Sequence, residues 1–205
     1  MRLVVFVLAI LSAASVWAQS RVVILGDSIA AGYGLDPEEA YPALIQKKIE
    51  EAKLPFTVVN AGLSGDTTAG GLRRIDWILK QPVSVLVIEL GGNDGLRGIP
   101  VTETRSNLQG MIDRAKAKYP QVKIVIAGMK MPANMGAEYT VEFEKLFAEI
   151  AKKNDAALIP FVLENVGGIA ELNQPDRIHP TAEGHQIVAK NVWAVLEKTL
   201  RGIKS

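Results

Sequence analysis

The chain has 205 residues, 48% of them hydrophobic and 22% charged, which is ample for one folded domain with a real core and excludes a disordered chain. Its 23 basic and 22 acidic residues leave a formal charge of +1, so no electrostatic footprint for nucleic acid is present. Cysteine is absent, which rules out disulfides, thiolate catalysis and cysteine metal sites.

At the N-terminus Arg2 precedes the apolar run LVVFVLAIL, and small residues at Ser15 to Ala18 occupy the positions a signal peptidase reads. The apolar stretch is too short and too rich in Ser and Ala to span a bilayer comfortably. The reading is a leader over residues 1–18, cleaved after Ala18, and a single domain over 19–205. Loss of Arg2 brings the basic residues level with the 22 acidic ones. A periplasmic or secreted protein is expected, with no stable membrane insertion after cleavage.

The stretch RVVILGDSIAAGYG, Arg21 to Gly34, follows. VVIL is β-branched, unbroken and too short for a helix, the signature of a strand buried on both faces of a parallel sheet. Gly26 permits a sharp turn, which delivers Asp27 and Ser28 to the start of a helix beside backbone N–H groups without helical partners. Acids early, bases late and apolar positions at helical spacing predict a helix over 37–52. FTVVN, Phe56 to Asn60, reads as a second strand, followed by SGDT and a helix over 67–81 that opens on a capping threonine. SVLVIEL, Ser84 to Leu90, is the most strand-like segment and ends at GGND. A helix over 101–119, stopped by Pro120, leads to the strand KIVIAG, Lys123 to Gly128, and the loop MKMPANMG. An amphipathic helix over 138–154, a fifth strand from Ala156 in AALIPFV, a long irregular stretch and a closing helix over 181–200 complete the chain.

Five strands alternating with helices predict an α/β fold, a three-layer α/β/α sandwich around a five-stranded parallel sheet. Such sheets bind ligands beyond the carboxyl ends of their strands. Ser28 follows the first strand, Gly65 the second, Asn93 the third, and Asp176 and His179 the fifth, so all five fall on one edge. A serine needs a base to become a nucleophile. Of the two histidines, His179 has Asp176 three residues earlier, placed to orient its ring, and Pro180 biases it toward extended backbone. His185 lies inside a helical pattern and reads as a packed or capping residue. Asn93 can offer a side-chain amide and Gly65 a backbone N–H to an oxyanion, although either can also serve only its turn.

Four blocks in order, GDS at Gly26 to Ser28, SGDT with Gly65, GGND with Asn93 and DRIHP from Asp176 to Pro180, resemble those of the SGNH hydrolases, also called GDSL esterases. The resemblance spans essentially the whole domain. It implies a flavodoxin-like sheet, Ser28 as nucleophile, His179 as base, Asp176 as its orienting acid, and the Ser28 N–H, Gly65 N–H and Asn93 amide as the oxyanion hole, with no metal or cofactor. ELGGNDGLRG from Glu89 and MPANMG from Met131 further resemble the bacterial periplasmic subgroup that acts on acyl-CoA thioesters, lysophospholipids and aryl esters. The expected partner is therefore a small-molecule or lipid ester, the expected state a monomer. Met131, Pro132, Asn134 and Met135 are candidates to line an acyl groove, and Arg97 and Arg177 to meet a phosphate head group. A carbohydrate acetylesterase, an α/β-hydrolase and a non-catalytic ligand-binding sheet remain as alternatives.

Overall fold

The computed structural model describes residues 20–203, so the expected leader lies outside the described residues. Strand β1 (Ser20–Gly26) runs through the sheet with Val22, Val23, Ile24 and Leu25 fully buried, as the unbroken VVIL run requires. The chain then forms the four-residue helix α1 (Ser28–Ala31), helix α2 (Tyr41–Glu51), strand β2 (Phe56–Gly62) and helix α3 (Thr68–Ile78). Strand β3 (Val85–Glu89), short helix α4 (Gly92–Leu96), helix α5 (Val101–Lys118) and strand β4 (Lys123–Ala127) come next. Helix α6 (Ala137–Lys153), strand β5 (Ala157–Ile159) and helix α7 (Ala182–Arg201) close the domain.

The strands are all parallel in the order β2-β1-β3-β4-β5. β1 pairs with β2 on one side and β3 on the other, so the winding reverses between β1 and β3 and opens a crevice at their carboxyl ends. α2 packs on α7, while α5 packs between α3 and α6, giving a helical layer on each face. The three-layer sandwich expected from the sequence is the observed one. Threonines cap two helices as their spacing predicts: Thr67 Oγ1 accepts the Gly70 N–H and Thr181 Oγ1 the Gly184 N–H, both at 3.2 Å.

The differences have local causes. α2 begins at Tyr41 rather than at residue 37, because Pro42 is tolerated only in a first turn; an earlier start would place it in the helix interior. β5 has three residues instead of seven, since Pro160 brings no N–H to the ladder. The histidine read as packed or capping does both: His185 is buried, and its Nδ1 accepts the N–H of Tyr41, the first residue of α2, at 3.0 Å.

Candidate active site

Ser28 owes its place to the turn that ends β1. A Cβ on Gly26 would lie 2.4 Å from Glu89 Oε2 and 2.5 Å from the Ala30 Cβ, so the turn demands glycine. Asp27 then caps α1, its Oδ1 accepting the Ile29 N–H at 3.0 Å. Ser28 is the first residue of that helix and its N–H finds no acceptor among the described residues.

The irregular stretch after β5 carries the other half of the site. Asn173 and Pro180 pair in an antiparallel bridge, and the Gln174 N–H donates to the His179 carbonyl at 2.7 Å. Gln174 Nε2 reaches across to the Tyr33 carbonyl at 2.7 Å, tying this loop to the one that follows α1. Inside the loop Asp176 Oδ1 accepts the N–H groups of Ile178 and His179 at 2.9 and 3.0 Å, and Asp176 Oδ2 lies 2.6 Å from His179 Nδ1. His179 Nε2 lies 2.9 Å from Ser28 Oγ. The His179 side chain and these two backbone N–H groups hold the Asp176 carboxyl down at about 2, so it is an acceptor only. In the neutral imidazole the proton therefore stays on Nδ1, and Nε2 offers its lone pair to the serine hydroxyl.

Asn93, after β3, lines the crevice, while Gly65 sits in the turn after β2, outside the lining. Gly65 has a φ of 78°, and an added Cβ would meet only the Arg97 guanidinium, at 4.0 Å, so conformation rather than crowding explains the glycine. Asn93 Nδ2 donates to the Asp66 carbonyl at 2.9 Å and reaches Asp27 Oδ2 at 3.3 Å. The short bond fixes the amide, and the long one is the bond an oxyanion can replace. Asp94 keeps to a structural role: its carboxylate accepts the N–H and hydroxyl of Thr68 at the start of α3.

The sequence profile of the GDSL-like Lipase/Acylhydrolase family matches residues 24–187. The chain belongs to that family. Esterase TesA of Pseudomonas aeruginosa is 39% identical over 184 residues, covering 89% of this chain and 90% of that one. An arylesterase of Vibrio mimicus is 38% identical over 93% of this chain and 94% of its own length. Thioesterase 1/protease 1/lysophospholipase L1 of Escherichia coli K12 is 38% identical over 84% and 81%. Among solved structures, the psychrotrophic esterase EstA from Pseudoalteromonas sp., inhibited by monoethylphosphonate, superposes with a TM-score of 0.83 at 32% identity, covering 89% of this chain and all of that one. Membership of the GDSL-like lipase/acylhydrolases sets aside the α/β-hydrolase and binding-sheet alternatives.

In this GDSL-family chain Ser28, Asn93 and His179 line a cavity of about 440 Å³ whose wall is largely apolar, built from Ile29, Leu96, Met129, Met131, Phe161 and Leu163 among others. Of the four loop candidates, Met131 and Pro132 line it, whereas Asn134 and Met135 belong to a 3-10 turn (Ala133–Met135) outside the lining. Arg177 borders the cavity; Arg97 is engaged with the Gly65 carbonyl at 3.1 Å. Among the described residues no group of three or more His, Asp or Glu converges to hold a metal ion.

Two supporting residues, Arg74 and Tyr33, escaped the sequence reading, and Asp27 was read there only as part of the turn before α1. Arg74 bonds the Asp66 carboxylate at 2.7 Å and the carbonyls of Ala61 and Gly26 at 2.7 and 3.0 Å, fastening the Gly65 loop to the ends of β1 and β2. Tyr33 lies over His179 with ring centroids 4.5 Å apart. Asp27 touches the Asn93 amide, and burial pushes its carboxyl up to about 6. Membership of the GDS block was the signal for Asp27 and nearness to it the signal for Tyr33; for Arg74, one arginine on a helix, there was none.

Proposed function

We propose that this chain is a serine hydrolase of carboxylic esters and thioesters. The observation that carries the reading is the line from Asp176 through His179 to Ser28 Oγ, with contacts of 2.6 and 2.9 Å, at the wall of an apolar cavity. Ser28 Oγ attacks the acyl carbonyl while His179 Nε2 takes its proton. The Ser28 and Gly65 N–H groups and the Asn93 amide receive the developing oxyanion. His179 returns the proton to the departing alkoxide or thiolate, and water, activated by the same imidazole, releases the acid from the acyl-enzyme.

The apolar cavity suits an acyl chain better than a sugar, and the relatives named esterase, arylesterase and thioesterase/lysophospholipase support aryl esters, acyl-CoA and lysophospholipids as the substrate range. Arg177, which borders the cavity, supports a phosphate on the leaving group as its partner. The protein acts as a monomer after export and leader cleavage, in the periplasm or outside the cell. Among the described residues no helix is long and apolar enough to cross a membrane.

Hydrolysis of p-nitrophenyl esters from acetyl to palmitoyl tests the reading, with Ser28→Ala in parallel. Wild type is expected to cleave medium or long chains and the mutant to fall to background. Equal rates for both proteins would refute the serine mechanism.

A further inference from the structure

Helix α1 carries Ser28 and yet has four residues, far too few to hold together unaided. What fixes it comes from the neighbouring strands. Glu89 Oε2, at the end of β3, accepts the Ala30 N–H at 3.1 Å, and Asn60 Nδ2, on β2, donates to the Ala30 carbonyl at 2.8 Å. Asn60 is itself oriented, its Oδ1 accepting the Gly62 N–H at 2.9 Å. The fit has no slack: a Cβ on Gly62 would lie 2.3 Å from the Ala31 nitrogen, and one on Gly26 would strike the Glu89 carboxyl.

Glu89 is completely buried, and no step of the ester chemistry uses it. Its Oε1 has no hydrogen-bond partner among the described residues, and neither has the buried Tyr41 hydroxyl. Among the described residues no cation pairs with it. A buried carboxyl kept under those terms is an acceptor of fixed reach rather than a charge, and its burial pushes it well above the ordinary carboxylate range.

We propose that Glu89 and Asn60 are positioning residues that clamp the two backbone groups of Ala30 and thereby set Ser28 Oγ within reach of His179 Nε2. The clamp rests on the serine-hydrolase reading and deepens it: the nucleophile comes from β1, the base from the far end of the chain, and the geometry between them depends on a turn held by β2 and β3. A displacement of about 1 Å at such a contact costs roughly a hundredfold in rate.

The test uses three variants of the full chain: Glu89→Gln, which keeps an acceptor at the same reach; Glu89→Asp, which keeps the carboxyl but one methylene short; and Asn60→Asp, which turns a donor into an acceptor at an exposed position where the core is untouched. kcat and KM are measured on a p-nitrophenyl ester, the folded fraction by circular dichroism, and the rate of Ser28 labelling with a fluorophosphonate. Glu89→Gln is expected to retain kcat within about threefold, while Glu89→Asp and Asn60→Asp lose about ten- to a hundredfold in kcat and in labelling rate with KM within about twofold. The proposal fails if both aspartate variants keep wild-type kcat, if their losses only track the unfolded fraction, or if Glu89→Gln falls as far as Glu89→Asp. Ser28→Ala in the same series separates the two readings. Activity that survives it overturns the serine mechanism and the clamp together; activity abolished there but unchanged in the aspartate variants overturns the clamp alone.

Discussion

Asp176 stays out of the acid side of the pH profile. Its carboxyl, held at about 2 chiefly by the His179 hydrogen bond, lends stability that is present above the ordinary carboxylate range and lost as pH falls through about 2. Over any pH at which the enzyme is assayed Asp176 therefore stays ionised. Between about pH 4 and 8 the kcat/KM profile should carry no step from Asp176; a step in that range that disappears in Asp176→Asn would contradict it. Asp176→Asn, which removes the anchor for the Nδ1 proton, is expected to lower kcat by about 10³ to 10⁴ in steady-state assays while KM changes little.

Among the elements, the long ones and their capping threonines were legible because apolar periodicity and cap chemistry act within a few residues. VVIL and VLVIE are buried on both faces, and α7 follows Thr181 as its pattern predicts. The convergence of Ser28, Asp176 and His179 was legible as well, since each lies on a loop beyond the carboxyl end of a strand. What stayed hidden depends on tertiary contact. α4 contains two glycines in five residues and owes its existence to its neighbours. Glu89 reads as the polar exit of an apolar strand, yet it is fully buried under α1. Asn134 and Met135 share a loop with Met131, and only the turn geometry separates those that line the cavity from those that do not. Met131 packs so closely on α4 that a Cβ on Gly95 would lie 2.1 Å from its sulfur. Met131→Ala should therefore deepen the groove and move the acyl-chain optimum by about two carbons or more toward longer esters. Gly95→Ala, which crowds the same thioether, should move it in the opposite sense. Identical chain-length profiles for the two variants and wild type would exclude Met131 from the acyl groove.

At the level of the whole molecule two buried groups set opposing pH dependences. Burial drives His185 down to about 4, so its stabilisation is present above pH 6.5 and is lost as pH falls through 4. Burial drives Asp27 up to about 6, so its stabilisation is present below pH 3.8 and is lost as pH rises through 6. Each is worth about 3 kcal/mol, and over pH 4 to 6.5 they nearly cancel. In calorimetry, relative to wild type at each pH, Asp27→Asn should lose Tm as pH drops through that window, whereas His185→Asn, whose amide oxygen can still accept from Tyr41, should gain it; difference profiles that run parallel would contradict both assignments. The same long-range construction makes catalysis a reporter of folding. Ser28 and His179 are 151 positions apart, and the loop bearing the histidine is secured by Gln174 and one isolated bridge. Local opening of that loop costs less than global unfolding, so in a urea titration esterase activity should vanish before circular dichroism changes. In refolding it should return last, which makes the first turnover a clock for the moment the two ends of the polypeptide meet.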